Sequence, residues 1–154
     1  MIEIKEERWS NFWPDCLPLL KEHNDEIGEL NQNMPLDPDI DTIAALDKAG
    51  IVQIVTARED AAMIGYCTFT LGNSLMSRKI LCGTQSIYFV KESKRNTDTW
   101  MRLYNESIKL MKAKGVKNIY PHHWLRGDSP RLGVFFRRKG AIPIQSEYSL
   151  WIGE

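Results

Sequence analysis

One stretch of the chain, residues 85–115, restricts the fold more than any other because it combines three elements in a fixed order. An apolar run at residues 87–90 predicts a strand, residues 91–99 form a polar loop, and a long amphipathic helix begins near Trp100 and ends at Gly115. A helix N-terminus after a strand and a polar turn presents N–H groups and a partial positive charge to an anion. The layout therefore predicts a phosphate cradle, although the loop lacks the glycines that usually let a backbone wrap phosphate.

Length and composition predict a single globular domain over residues 1–154. The chain is 43% hydrophobic and 26% charged, unlike a disordered chain, and no linker-like stretch divides it. Its 20 basic and 20 acidic residues cancel, so no overall field favours nucleic acid or an anionic membrane. The N-terminus lacks the features of a signal peptide, and no run of about 18 apolar residues occurs, so we expect a cytoplasmic protein.

The three cysteines, Cys16, Cys67 and Cys82, are an odd number with wide spacing and no C-x-x-C pair. That pattern argues against a disulfide framework and against a zinc site. We expect reduced, buried thiols and no metal ligands.

Periodicity and turn residues predict two helices between the first and second strands. An alternating run at residues 2–5 predicts a short strand, and Ser10 offers an N-cap for a helix that Pro18 should kink or break. Asp37, followed by proline, should cap a second helix, which Gly50 ends.

The central part of the chain predicts three consecutive strands. Residues 51–56 and 63–71 are rich in β-formers and flank a charged turn at residues 57–60, which is the pattern of an antiparallel hairpin. Residues 79–90 form a long third strand, with a bulge expected at Gly83.

The last part of the chain predicts a strand, a helix and a strand. The strand at residues 118–124 contains Pro121, which cannot donate a ladder hydrogen bond, so this strand should lie at an edge or splay from its neighbour. Ser129 starts a helix that Gly140 ends, and residues 148–152 form a final strand. The predicted element order is therefore β-α-α-β-β-β-α-β-α-β, a mixed α/β fold.

Two features give the sequence a resemblance to a known family. The element order, with a charged turn at residues 58–60 and an apolar-Gly-aromatic strand at residues 64–66, resembles the Gcn5-related N-acetyltransferase (GNAT) family. More narrowly, residues 37–50, 116–123 and 140–151 look like parts of the short acetyltransferase-like proteins encoded by tailed bacteriophages.

The resemblance implies a central, mostly antiparallel sheet that splays between its fourth and fifth strands, with helices on both faces. It implies acetyl-CoA as the cofactor, in a wedge between residues 87–90 and residues 118–123, with its pyrophosphate on a loop of the form Arg/Gln-x-x-Gly-x-Gly/Ala. Here Arg95 matches the first position, whereas Asp98 and Trp100 replace the two glycines. The residues implied for cofactor binding are Phe89, Val90, Arg95, Asn96, Thr97, Asp98, Thr99 and Trp100.

Asp98 has two interpretations. Its carboxylate can cap the following helix, which is worth about 1 kcal/mol. The same charge would oppose a pyrophosphate by roughly 1–4 kcal/mol, depending on the effective dielectric. We therefore expect Asp98 to be a helix cap that weakens cofactor binding without abolishing it.

The catalytic residues implied are Glu92, His122 and His123. Family enzymes often use a tyrosine in an aromatic-Tyr-x-x-x-Gly phrase as general acid, whereas this chain has Phe136, which has no proton to donate. Histidine titrates near neutrality, and in an alternating strand only one of the two histidines can face the wedge. Glu92 is the other candidate base for a substrate ammonium. Each of the three can instead be a solvated or structural side chain.

Two functions of different classes follow from these resemblances. The first is an N-acetyltransferase that moves an acetyl group from acetyl-CoA to a small-molecule or peptide amine, with a homodimer left open and neither membrane nor nucleic acid as partner. The second is a catalytically degenerate protein of the same fold with a structural, assembly or host-interaction role in a bacteriophage, in the host cytoplasm or the virion.

Overall fold

The computed structural model describes residues 1–27, 35–123, 130–147 and 152. Within these residues the sheet has five strands in the order β1-β2-β3-β4-β5, and every neighbouring pair is antiparallel except the parallel pair β4 and β5. The predicted fold class is therefore confirmed. The strands are β1 (Ile2–Glu7), β2 (Val52–Glu59), β3 (Ala62–Ser74), β4 (Ser77–Val90) and β5 (Asn118–Tyr120).

Two helices cover each face of the sheet. The buried residues of α1 and the apolar side of α2 pack against one face, around Tyr66 and Phe89. The buried residues of α3 and α4 pack against the other face, around Cys67 and Phe69. The helices are α1 (Trp9–Ile27), α2 (Ile40–Lys48), α3 (Thr99–Ala113) and α4 (Pro130–Arg138). The order of elements agrees with the prediction as far as α4, while Ser129 and the final strand at residues 148–152, apart from Ile152, lie outside the described residues.

The first helix begins earlier than predicted and is not broken. It starts at Trp9, so Ser10 lies inside it, and both Pro14 and Pro18 are within its length. The two prolines are four residues apart on the exposed side, where the helix can tilt its backbone toward water. The opposite side, with Phe12 and Cys16 at its centre, is buried and keeps the helix on the sheet.

The second helix is capped by a different aspartate from the one predicted. Asp39, not Asp37, occupies the N-cap, and its carboxylate accepts a hydrogen bond from the backbone N–H of Thr42 at 3.0 Å. Gly50 has a φ of +73°, which confirms the predicted helix end.

The turn between β2 and β3 lies later than the predicted residues 57–60. Asp60 and Ala61 form its centre, with φ values of +49° and +69°, the left-handed pair that a two-residue hairpin requires. Arg58 precedes the turn and belongs to β2. Its side chain is buried and pairs with Glu7.

The predicted bulge at Gly83 is wrong. Gly83 pairs regularly with Leu71, and the register shifts instead between Thr68 and Phe69, opposite Ser86. Gly83 packs closely against α3, because a Cβ there would lie 2.7 Å from the sulfur of Met111, whose side chain would have to move.

The three cysteines are buried free thiols, which confirms their predicted burial. Within the described ranges, the structure contains no helix of the length and hydrophobicity needed to cross a membrane.

Gly65 fixes the spacing between β3 and β4, and its replacement gives the first testable prediction. A Cβ at Gly65 would lie 2.9 Å from the backbone oxygen of Phe89 and 3.1 Å from a methyl group of Val90. Because backbone cannot move away as a side chain can, we expect Gly65→Ala to lower the free energy of unfolding by about 1–3 kcal/mol. Gly72→Ala is the matched control, since Gly72 lies in the same strand and a Cβ there meets nothing within 4 Å. Equal midpoints for the two variants in urea denaturation would contradict this packing role.

Candidate active site

The sheet opens into a wedge where β4 and β5 part. The parallel ladder covers only three pairs and ends where Thr84 meets Tyr120. β4 continues from Gln85 to Val90, and no described strand pairs with it on that side. The opening starts beside the bulge at Ser86, which bends β4 at this level.

Pro121 follows the last residue of β5, so the predicted strand at residues 118–124 is shorter than expected. In place of the next ladder bond, the side-chain Nε2 of Gln85 donates to the backbone oxygen of His122 at 2.8 Å. The splay is thus where the sequence predicted it, and the missing N–H of Pro121 is not needed there.

The loop after β4 leads to a helix terminus with free donors. A short 3₁₀ turn, Glu92–Lys94, follows β4, and α3 begins at Thr99. The hydroxyl of Thr97 accepts a hydrogen bond from the N–H of Thr99 at 3.3 Å. Among the described residues, no protein acceptor bonds the backbone N–H groups of four residues around this terminus, and such groups attract an anion. They belong to Asn96, Asp98, Trp100 and Met101.

Asp98 occupies the N-cap position of α3, as predicted, but it does not cap the helix through its side chain. Its carboxylate is 61% exposed and lies 3.9 Å from the guanidinium of Arg102, one turn along the helix. The expected cap bond is therefore absent. The carboxylate points outward to Arg102, and the Thr97 hydroxyl instead accepts a hydrogen bond from the first turn of α3. The N–H groups at this terminus are consequently left to other acceptors.

Arg95 binds three groups of the protein. Its Nε donates to the backbone oxygen of Val90 at 2.8 Å, and its terminal nitrogen forms an ion pair with Glu26 of α1. Its guanidinium also lies 5.3 Å from the ring centre of Phe89. Arg95 therefore ties the loop to β4 and to the end of α1, and its charge is already paired.

The two lysines of the loop also form ion pairs with carboxylates. Lys91 lies 3.6 Å from Glu22, and Lys94 lies 2.6 Å from Glu59. With these cations neutralised by carboxylates, the backbone N–H groups are the principal donors that the loop offers an anion.

The two candidate histidines occupy different environments. His123 packs against Gly133 of α4 so closely that a Cβ on that glycine would collide with its ring. His122 keeps contact with solvent, yet loss of hydration around its ring lowers its pKa below the usual value, and His123 adds to this effect while Glu147 opposes it. His122 is therefore neutral near pH 7 and able to accept a proton.

Glu92 lies at the other end of the wedge. The pairing of Thr84 with Tyr120 places His122 level with residue 86. β4 runs on for about 13 Å before it ends at Val90, and Glu92, which is exposed, lies beyond that end. Glu92 and His122 therefore cannot act on the same atom, and the structure does not bring the predicted catalytic residues into one cluster.

Several solved structures with a similar fold are described as acetyltransferases. An aminoglycoside acetyltransferase from an uncultured soil metagenomic sample has a TM-score of 0.78 at 10% identity, with 99% of each chain covered. A ribosomal-protein-alanine N-acetyltransferase from Brucella melitensis biovar Abortus 2308 has a TM-score of 0.73 at 14% identity, covering 99% of this chain and 100% of that chain. This chain has the GNAT acetyltransferase fold.

A predicted acetyltransferase from Clostridium acetobutylicum, solved with acetyl-CoA, has a TM-score of 0.68 at 11% identity, covering 99% of this chain and 97% of that chain. No protein-family model and no curated protein matches the sequence significantly. At identities this low, the likeness establishes the fold, and the chemistry has to be argued from the residues.

In this acetyltransferase fold, aromatic side chains fill the space between the first turn of α3 and α4. The ring of Trp100, at the position of the second loop glycine, meets Phe135 edge-on at 4.7 Å. Phe136 is buried against Tyr104, with ring centres 5.3 Å apart. The hydroxyl of Tyr88 donates to the backbone oxygen of Trp100, and burial raises the pKa of Tyr88. Phe136 and Tyr88 are thus structural in this conformation.

The two hydrophobic residues predicted to bind cofactor point to opposite faces. Phe89 packs with the α1 layer and Val90 with the α3 layer, and both are buried. Their contribution to a ligand in the wedge would therefore come from backbone groups. The backbone oxygen of Val90 already accepts from Arg95.

A buried His–Tyr pair behind β4 was missed by the sequence reasoning. His23 of α1 and the hydroxyl of Tyr66 in β3 are hydrogen-bonded at 3.0 Å, and the imidazole stacks on Phe89 at 4.9 Å. Burial, helped by the charge of Arg95, lowers the pKa of His23 to about 4. The sequence pattern that could have predicted it is the helical spacing of Phe12, Cys16 and His23, which places the histidine on the apolar side of α1.

A groove of about 770 Å³ lies elsewhere, between the second half of α3 and β5, with Lys109, Lys117 and Lys139 at its rim. It is at the opposite end of α3 from the loop, so it is not part of the wedge. In the described part of the chain, no three His, Cys, Asp or Glu side chains come together as metal ligands would.

Proposed function

We propose that this protein is an N-acetyltransferase that uses acetyl-CoA to acetylate an amine. The observation that carries the proposal is the combination, at one opening of the sheet, of a β4 edge and of N–H groups at the start of α3 that have no hydrogen-bond partner among the described residues. An edge and a helix terminus so placed suit a ligand with amides at one end and phosphates at the other. The solved structures that share the fold support acetyl transfer as the chemistry.

The residues present fit acetyl-CoA. The N–H groups of Asn96, Asp98, Trp100 and Met101 have no acceptor in the described part of the chain and would hold its pyrophosphate. The carboxylate of Asp98 weakens this interaction but is turned outward toward Arg102. When bound, acetyl-CoA supplies an acetyl group activated as a thioester.

His122 is the residue we assign as the base. It lies at the inner end of the wedge, away from the phosphate loop, and it is neutral near pH 7 because its pKa is lowered. A neutral imidazole takes the proton that the attacking amine loses, and the imidazolium that results is a proton donor for the leaving group. This role does not need a tyrosine at position 136. We assign Glu92, at the phosphate end, no part in proton transfer.

Replacing His122 with glutamine tests this assignment. We expect the turnover rate of His122→Gln to fall at least about tenfold while the affinity for CoA is unchanged, because a positioned base contributes about 10²–10⁴ in rate. In the wild type, activity should fall on acidification only below pH 6.5, since the pKa of His122 is lowered and the neutral form is required. His123→Gln is the matched control. An equal loss of turnover rate in both variants, or an unchanged turnover rate in His122→Gln, would show that His122 is not the base.

The second candidate function rests on a different observation. Arg95, Lys91 and Lys94 are all paired with carboxylates, and Phe136 is buried against Tyr104. These features suit an acetyltransferase fold that has lost catalysis, and for such a protein we propose a structural, assembly or host-interaction role, as in a bacteriophage.

Thiol release from acetyl-CoA in the presence of a panel of small-molecule and peptide amines separates the two functions. The enzyme proposal expects amine-dependent release that scales with protein concentration. Release at the uncatalysed rate with every amine favours the degenerate protein.

A further inference from the structure

Gln85 is a buried polar side chain at the inner end of the wedge. It is only 4% exposed, and its Nε2 donates to the backbone oxygen of His122 at 2.8 Å. The orientation of the amide is fixed by chemistry, because the oxygen of His122 can only accept a hydrogen bond. The other atom of the amide, Oε1, is buried, and no group of the described residues donates to it.

A second glutamine provides an internal comparison. Gln53 of β2 is fully buried, its Nε2 donates to the backbone oxygen of Ser107 at 3.0 Å, and its Oε1 likewise has no donor among the described residues. Both glutamines flank Phe69 of β3 in the ladder and so lie on the same face of the sheet. They differ in place, since Gln53 lies under the middle of α3 and Gln85 spans the gap between β4 and the chain after β5.

A buried carbonyl oxygen without a donor costs free energy that a ligand can recover. We propose that Oε1 of Gln85 accepts a hydrogen bond from an amide N–H of the pantetheine arm of CoA. This inference rests on the proposed function. A neutral amide is the better partner than the acceptor amine, because a protonated amine would have to give up its hydration at a side chain that is almost wholly buried and uncharged.

The resonances of the two glutamine side-chain amides test this inference directly. In ¹H–¹⁵N correlation spectra of the ¹⁵N-labelled wild-type protein, assigned by through-bond experiments, saturating CoA should shift the Nε2 signals of Gln85. The signals of Gln53 should stay in place, because α3 separates that residue from the wedge. Signals of Gln85 that do not move while CoA is bound would overturn the inference.

Calorimetric titration of CoA into two matched variants gives an independent measurement. Gln85→Met should bind CoA about three- to tenfold more weakly than wild type, whereas Gln53→Met should bind with wild-type affinity. Wild-type affinity in folded Gln85→Met overturns the inference and leaves the proposed function intact. Absence of CoA binding in the wild type overturns both.

Discussion

Replacing Arg58 with methionine is expected to lower the free energy of unfolding by about 3–5 kcal/mol. The Arg58 side chain is 10% exposed and bonds both carboxylate oxygens of Glu7, at 2.7 and 3.0 Å. It also bonds Asp15 of α1 at 2.6 Å and the backbone oxygen of Ala61 in the hairpin turn at 2.9 Å. Burial alone would raise the pKa of Glu7, but hydrogen bonds from Arg58 and Thr56 and the charges of Arg58 and Lys5 outweigh it and hold that pKa below its usual value. Without Arg58 this buried carboxylate keeps only the longer ion pair with Lys5, at 3.8 Å, among the described residues.

Two control variants test whether the loss of stability comes from breaking this buried ion pair or from removing any positive charge. Lys109→Met removes a cation from an exposed pair with Glu106 and should change stability by less than about 1 kcal/mol. The double variant Glu7→Met with Arg58→Met should be more stable than Arg58→Met alone, since no buried charge is left over. Urea denaturation gives all three values. A double variant that is less stable than the single one would show that Arg58 acts through packing.

Acidification is expected to destabilise the protein through His23, by about 3 kcal/mol in total. The pKa of His23 is about 4 in the folded protein and near 6.5 when the chain is unfolded. Between these values the unfolded chain binds a proton that the folded protein excludes. The contribution of neutral His23 is therefore complete above pH 6.5 and is lost as the pH falls toward 4.

His23→Gln isolates this effect, because glutamine can still hydrogen-bond the hydroxyl of Tyr66 but does not titrate. We expect the difference in unfolding free energy between wild type and variant to decrease from pH 7 to pH 4 by that amount. Carboxylates titrate in the same range, but they do so in both proteins and cancel in the difference. A difference that is independent of pH would mean that His23 is accessible to protons in the folded state.

The sequence predicted the fold well where the local signal and the tertiary context agree. The run at residues 85–115 gave strand, loop and helix in the right order, because apolar periodicity and a terminal glycine report on local geometry. Pro121 predicted a splay for the same reason, since a missing N–H constrains its own strand.

The prediction from sequence was wrong where a contact with a residue far along the chain determines the local structure. Arg58 was predicted to lie in a turn, but it pairs with Glu7 inside the sheet. Pro18 was predicted to break a helix, but it lies within α1, which packs on the sheet. Asp98 was predicted to bond its own helix, but Arg102 and Thr97 compete for the same groups. The partners of Arg95 and His23 lie on other elements, which no local pattern specifies. The departures at Asp98, Trp100 and Phe136 were visible from the sequence, but their contacts were not.

Calorimetric titration of the wild-type protein with acetyl-CoA and with CoA tests the central claim most directly, since every catalytic proposal requires the wedge to bind this ligand. We predict saturable binding of both with a dissociation constant below about 1 mM, which corresponds to about 4 kcal/mol, and a rise in the unfolding temperature with ligand concentration. Absence of heat and of any thermal shift at about 1 mM of either ligand would contradict the claim.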